Sequence, residues 1–338
     1  MTKYTRQRLK NCFKAGVLGA LLTLFSLIQE GNFKIIYPIV GFISGFITGV
    51  FELFIYKERL RKINFFLGLF IKSVSYTFTV YILILIVLSL TYVITGSANA
   101  GDILNNFINK EFLVITFEVF KGSVLIVFLF QLDDLLGDGT FRKYITGKYH
   151  EPKKQDMIFM FLDVKSSTKM AETLGDDKYY KLLDDFFHDV SEPIIESDAE
   201  IYKYVGDEII ICWSLENGIT SPNAIDLFFN IKHKIRKKKE VYLERYGIIP
   251  EFKAGIHDGS VITALIGDIR KEIVYNGDVL NTASRLQSLC NEHNAELIIS
   301  DSLYQKIHWT GRYEVIGLGV IQLRGKNIPM QVYKISEH

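Results

Sequence analysis

The sequence predicts an N-terminal four-helix transmembrane domain followed by an α+β domain of ferredoxin-like order. Three observations carry that prediction. Nearly all the long apolar runs of this 338-residue chain, which is 49% hydrophobic, lie before about residue 132. The remainder alternates apolar and charged stretches, as a globular domain does. Within it the pattern runs strand, helix, strand, strand, helix, strand, with two strands joined by the turn dipeptide Gly206-Asp207. The domain bounds that follow are 1–132 for the membrane part, 133–155 for a linker or transducing segment and 156–338 for the globular part.

Four apolar segments are drawn in the first part: Cys12 to Ile28, Ile35 to Tyr56, Phe65 to Ile94 and Phe112 to Leu132. A helix crosses the hydrocarbon core with roughly 20 residues, so the first segment is at the short end. It follows a basic start (Lys3, Arg6, Arg8, Lys10) as a signal peptide would, but no small-residue cleavage site comes after it and another apolar segment does. A retained helical hairpin is the better reading. Basic residues concentrate at the N-terminus and in Lys57 to Lys62, and the loops Gln29 to Lys34 and Thr95 to Glu111 hold one Lys each. Lys and Arg stay on the cytoplasmic side, so both termini are expected inside.

Two features go beyond a plain anchor. Gly41, Gly45 and Gly49, at four-residue spacing, leave one helix face open for packing against another helix or for a dimer seam. Glu118 and Lys121 fall near the middle of the fourth segment, where an unpaired charge costs about 2.5 to 3.5 kcal/mol on an insertion scale. At this spacing they can neutralise each other, or face a ligand or signal.

Between Asp133 and Asp156 the chain turns polar, and Gly137, Gly139, Gly147 and Pro152 break any continuous helix. Met157 to Leu162 is then an apolar strand ending on Asp163, and Asp176 to Glu196 has helical periodicity. Ile201 to Val205 and Ile209 to Trp213 form the hairpin, and Asn223 to Tyr246 reads as one helix with a basic end. Glu251 to His257, Val261 to Ile266 and Glu272 to Asn276 are expected strands, Val279 to Glu292 a helix and Glu296 to Ser300 a strand. One largely antiparallel sheet with covering helices accommodates these elements.

A net charge of +1, with no basic stripe, gives no reason to invoke nucleic acid. Cys12, Cys212 and Cys290 are far apart without metal-ligand spacing and read as reduced, mostly buried thiols. The carboxylates are more informative. Asp163 ends a buried strand and Asp207 sits on a hairpin tip, and a ferredoxin-like order makes those strands neighbours. Two such carboxylates repel unless cations lie between them, and oxygen-seeking Mg²⁺ is the expected one. Paired ions of this kind clamp in-line displacement at phosphorus.

The segments FMFLDVKSST, YKYVGDEIIICW and YNGDVLNTASRLQ resemble, in order, the three signature blocks of the class III adenylyl/guanylyl cyclases, over roughly Asp156 to Ile335. The resemblance implies a nucleotidyl cyclase fold, two Mg²⁺ or Mn²⁺ ions per site and attack of the ribose 3′-hydroxyl on the α-phosphate. It makes Asp163 and Asp207 the metal aspartates, with Val164 beside them, and places the backbone from Val164 to Thr168 around the β- and γ-phosphates. Lys203 matches the adenine-contacting residue, Asn281 and Arg285 the pair that positions the ribose and stabilises charge at the α-phosphate, and Arg324 a basic residue for the terminal phosphates.

Val274, seven residues before Asn281, stands where adenylyl cyclases usually have a second adenine-reading Asp or Thr. Valine has no side-chain donor or acceptor. Guanylyl cyclases typically carry an acidic residue at the Lys203 position, which keeps ATP ahead of GTP as the substrate. The resemblance further implies a homodimer with its sites at the subunit interface, in an integral protein of the bacterial cell membrane with the catalytic domain in the cytoplasm. Three alternatives stay open: a guanylate cyclase, a catalytically silent membrane receptor whose cyclase-like module only binds nucleotide, and a diguanylate cyclase, from whose GGDEF hairpin VGDEI departs by its first glycine.

Overall fold

The structure is a computed structural model that describes residues 3–30, 36–56, 63–95, 110–137, 143–144, 146–220, 223–309, 311–326 and 328–338. The chain divides into two compact units, Met1–Arg142 and Lys143–His338.

The first unit is helical: α1 is Lys3–Glu30, α2 is Ile36–Val50 and runs into a π-helical turn at Phe51–Tyr56, α3 is Phe65–Thr95 and α4 is Lys110–Leu136. The described residues of all four expected segments lie in helical elements, and two of the four expected spans are supported. Among the described residues only Pro38–Tyr56 and Phe65–Leu83 are long and apolar enough to cross a membrane. The first half of α1 is basic and polar, and in α4 the described apolar stretch is Val119–Leu132. The basic loop at 57–62 and the long loop at 96–109, on which the orientation rests, lie outside the described residues.

The glycine face of α2 is turned inward. A Cβ on Gly41 would come within 2.7 Å of the Gly19 carbonyl oxygen, one on Gly45 within 3.0 Å of the Ala15 carbonyl carbon and one on Gly49 within 2.8 Å of Cys12 Cα. The three glycines therefore bring α2 against α1 of the same chain, and the expectation of a dimer seam there is corrected. The side chain of Glu118 lies outside the described residues, and the Lys121 ammonium stands 5.1 Å from the centre of the Phe117 ring. A buried charge pair joins the π-helical turn to α3. Glu52, in the π-helical turn, accepts from Lys72 of α3 and, at 2.6 Å, from the Tyr76 hydroxyl. Glu52 and Lys72 are 8% exposed, so each offsets the desolvation of the other.

The second unit is an eight-stranded sheet with helices on both faces. Its elements are β1 (Lys153–Val164), α5 (Ser167–Leu174), α6 (Asp176–Glu196), β2 (Glu200–Val205), β3 (Glu208–Ser214), α7 (Leu215–Ile219), α8 (Asn223–Lys237), α9 (Lys239–Tyr246), β4 (Phe252–Ile266) and β5 (Glu272–Asn276). There follow α10 (Asp278–Glu292), β6 (Leu297–Ser300), α11 (Asp301–Tyr304), β7 (Tyr313–Ile321) and β8 (Met330–Glu337). The strand order is β2-β3-β1-β4-β6-β8-β7, and β5 pairs with β4 off that path. Its first four strands have the ferredoxin-like order, with β1 antiparallel to both β3 and β4. Among the described residues only β4 and β6 run parallel.

Side chains alternate across β1. Ile158, Met160, Leu162 and Val164 join the larger core with residues of α6, α8 and α9, and Met157, Phe159 and Phe161 join Val279 and Ala283 of α10 on the opposite face. The expected strands 251–257 and 261–266 are one continuous strand, because Gly259 between them is needed for contact and not for a turn. A Cβ there would approach Val279 Cγ2 to 2.7 Å. At Gly255 a Cβ would lie 2.8 Å from Gln287 Cα, closer still to the Gln287 nitrogen and the Ala283 carbonyl oxygen. Gly255 lets the backbone of α10 rest directly on β4, and Gly259 makes room for the Val279 side chain. Gly255→Ala is therefore expected to destabilise the chain by about 1–3 kcal/mol, by overpacking against backbone atoms that cannot rotate away. The check is the melting temperature of the full chain in detergent, and an unchanged value would mean that α10 does not lie this close to β4.

Other differences are local. The expected helix 223–246 breaks at Lys238, and β7 and β8 close one side of the sheet without having been drawn individually from sequence. Strand β1 begins at Lys153, inside the segment read as linker, and Leu265 N–H donates to the Tyr149 carbonyl at 2.9 Å.

Candidate active site

The register of three neighbouring strands creates a row of charge across the α10 face of the sheet. Asp163 of β1 is paired with Glu208 of β3 on one side and with Lys253 of β4 on the other. Asp163 continues the alternation of Phe159 and Phe161, so its side chain points to α10. Asp207 occupies the β2–β3 hairpin after Gly206, whose φ of 64° fits a tight turn that a side chain would strain. The hairpin thus returns Asp207 to the end of β1, next to Asp163.

The electrostatics record how close these carboxylates are. Burial raises the Asp163 pKa, the Asp207 charge raises it further, and Lys253 pulls it part of the way back. Glu208 is pushed up to about 7, first by burial and then by the charges of Asp163 and Asp207. Lys253 is 8% exposed; its ammonium is 3.4 Å from Asp163 Oδ2 and donates to Asn291 Oδ1 at 3.1 Å. Gln287 Nε2 donates to the same Asp163 oxygen at 2.7 Å.

A cavity of about 520 Å³ opens beside Asp163, lined by Val164, Lys165, Ser166, Ser167, Thr168, Lys253 and Asn291. Ser166, at a φ of 56°, turns the chain into α5 without a side-chain cap, so the first amides of that helix are left to the cavity. Cationic Lys253 and free helix N–H groups together suit the terminal phosphates of a nucleotide. Among the described residues no group of three or more His, Cys, Asp or Glu is arranged to hold a metal. The donor set here is two mutually repelling carboxylates plus a main-chain carbonyl, which suits a hard cation that shares its shell with phosphate oxygens and water. Val164 is 2% exposed with its side chain in the core, so only its carbonyl can take part.

The remaining residues singled out in the sequence do not line this cavity. Lys203 of β2 is paired with Glu272 of β5 at 2.9 Å, and Arg270 holds the same carboxylate at 2.9 Å. Val274, two residues further along β5, is half-buried opposite Ala264. Asn281 is exposed on α10, and Arg285 one turn later has a buried Nη1 with no hydrogen-bond partner among the described residues. A Cβ on Gly325 would stand 3.3 Å from Arg285 Nη2, so this arginine reaches the turn that carries exposed Arg324. The aspartates and Thr168 thus gather at the cavity, while Lys203 lies against Glu272 of β5 and Arg285 lies beside the turn that carries Arg324.

Sequence reasoning missed Lys253, Gln287 and Asn291. Gln287 falls inside the third motif segment and Lys253 is the second residue of β4, but only the β1–β4 pairing and the seat of α10 reveal that they meet Asp163.

Comparison with known proteins follows the same lines. Residues 149–337 match the family model of the adenylate and guanylate cyclase catalytic domain. The chain is 28% identical over 211 residues to adenylate cyclase 2 of Rhizobium meliloti (strain 1021), covering 62% of this chain and 58% of that protein. It is 22% identical over 184 residues to the adenylate cyclase of Anabaena cylindrica, covering 53% of this chain and 36% of that one. The match thus spans under two thirds of either relative. A bacterial light-regulated adenylyl cyclase of known structure superposes with a TM-score of 0.56 at 18% identity, over 68% of this chain and 66% of that chain, a likeness of fold.

Proposed function

The chain belongs to the class III adenylate and guanylate cyclase family, and from that premise we propose that it converts ATP to 3′,5′-cyclic AMP and pyrophosphate. The observation that carries the proposal is the juxtaposition of Asp163 and Asp207 beside a cavity whose donors suit phosphate. In this reading Asp163, Asp207 and the Val164 carbonyl hold two divalent ions, Mg²⁺ or Mn²⁺. Bound there, such ions would supply Lewis acidity at the ribose 3′-hydroxyl and positive charge at the phosphates. Lys253, Thr168 and the amides at the start of α5 bind the β- and γ-phosphates, and Arg324 adds charge to them. Asn281 orients the ribose. Arg285 offers planar donors to the α-phosphate as the 3′-oxygen–phosphorus bond forms and the bond to the leaving pyrophosphate breaks. Lys203 donates to adenine N1.

That Lys203, Asn281, Arg285 and Arg324 do not line the cavity beside Asp163 supports a two-fold homodimer in which these residues serve the partner subunit's aspartates. The apolar stretches Pro38–Tyr56 and Phe65–Leu83 support attachment to a membrane, with residues 1–132 as anchor, 133–155 as transducing segment and 156–338 as the catalytic domain in the cytoplasm.

A second reading, GTP as substrate, is favoured by two observations: Val274 offers the base no hydrogen bond, and the Lys203 ammonium is already engaged by Glu272. The test is product formation by the purified full chain in detergent, with ATP or GTP and Mg²⁺ or Mn²⁺. Cyclic AMP is expected, with ATP ahead of GTP by about tenfold, the weight of roughly one hydrogen bond. Lys203→Glu is expected to erode that margin. Equal turnover of both nucleotides would remove Lys203 from its role, and absence of either product would leave a nucleotide-binding module.

A further inference from the structure

Asp163 is held from α10 as well as from its own sheet. Gln287 is 6% exposed, and its Nε2 meets Asp163 Oδ2 at 2.7 Å. An ionised carboxylate only accepts, so the amide nitrogen must be the atom that faces it. The amide oxygen is turned to the Ser288 hydroxyl at 3.5 Å. Oδ2 is also 3.4 Å from Lys253 Nζ, which Asn291 steadies from the following turn of α10. Both contacts thus fall on one carboxylate oxygen, Oδ2, and neither engages Oδ1.

We propose that Gln287 is a positioning residue for the cyclase reaction: its amide fixes Asp163 so that Oδ1 is presented to a divalent cation. The proposal rests on the cyclase reading. A neutral donor is suited to this work. It orients the carboxylate without cancelling the charge that attracts the cation, whereas Lys253 pairs with the carboxylate electrostatically and is a competitor for it. The distance is set by the backbone, because Gly255 lets α10 lie close enough to β4 for a glutamine to span the gap.

The test uses the full chain in detergent and compares wild type with Gln287→Met, which keeps the length and helix propensity but has no donor. Binding of a non-hydrolysable ATP analogue is titrated against Mg²⁺, with melting temperature measured alongside. The half-saturating Mg²⁺ concentration is expected to rise about tenfold, as for loss of an outer-shell partner, with analogue binding in the absence of metal unchanged. A merely structural role would instead lower the melting temperature and weaken binding equally with and without metal. Should Gln287→Met melt early, Gln287→Asn, which withdraws the amide while staying polar, is expected to show the same selective Mg²⁺ shift. An unchanged Mg²⁺ dependence in a folded variant overturns the proposal. Failure of the cyclase reading looks different: the wild type binds metal and analogue yet forms no cyclic nucleotide, and the Mg²⁺ shift is still read.

Discussion

Asp163→Ala and Asp207→Ala are each expected to reduce turnover by about a thousandfold, because losing one carboxylate removes several kcal/mol of charge stabilisation around the phosphates. The two variants should part company in stability. Asp207 lies on a hairpin turn and its charge opposes ionisation of Asp163 and Glu208, so its removal relieves repulsion and the melting temperature should hold or rise. Asp163→Ala, by contrast, strips Lys253 and Gln287 of a shared acceptor and should cost about 1–3 kcal/mol. Turnover with Mg²⁺-ATP and Mn²⁺-ATP, measured beside melting curves, separates these effects. Near wild-type turnover in either variant, at any metal concentration, would sink the assignment of the aspartates.

Mixing two dead variants should restore activity. Asp207→Ala and Arg285→Ala damage both sites of their own homodimers. If association is random, about half of the co-expressed dimers are mixed, and in these one site collects both lesions while the other has neither. One sound site in about half the dimers gives about a quarter of wild-type activity if the sites act independently. Separate tags on the two variants isolate the mixed species for assay. Verified mixed dimers with no activity would mean that Asp207 and Arg285 serve the same site from one chain.

What the sequence could show depended on the range of the interaction. The apolar stretch into Asp163, the glycine turn at Gly206 and the helix carrying Asn281 and Arg285 are local patterns, and each falls where its residues predicted. Lys253 and Gln287 were invisible for the opposite reason. One is brought to Asp163 by an antiparallel register 90 residues further along the chain, and the other by a helix seated on a glycine. Gly41, Gly45 and Gly49 were legible as a close-packing face, but the helix that fills it could not be named from spacing alone. In the same way, Glu118 and Lys121 caught attention because they are near in sequence, while Glu52 and Lys72 are joined across two helices.

The position of α10 has a consequence for how the enzyme would respond to substrate. Gln287 on this helix donates to Asp163 of its own chain, and Asn281 and Arg285, within two turns, are offered in the proposed pair to the nucleotide bound by the other chain. Each helix is then a lever with one end in each site. Filling one site draws on Asn281 and Arg285, and any shift of the helix axis is felt at Asp163 of the neighbouring site. Two such levers, related by the two-fold axis, would form a closed loop, so the sites would fill cooperatively, and the curve of rate against ATP would depart from a hyperbola.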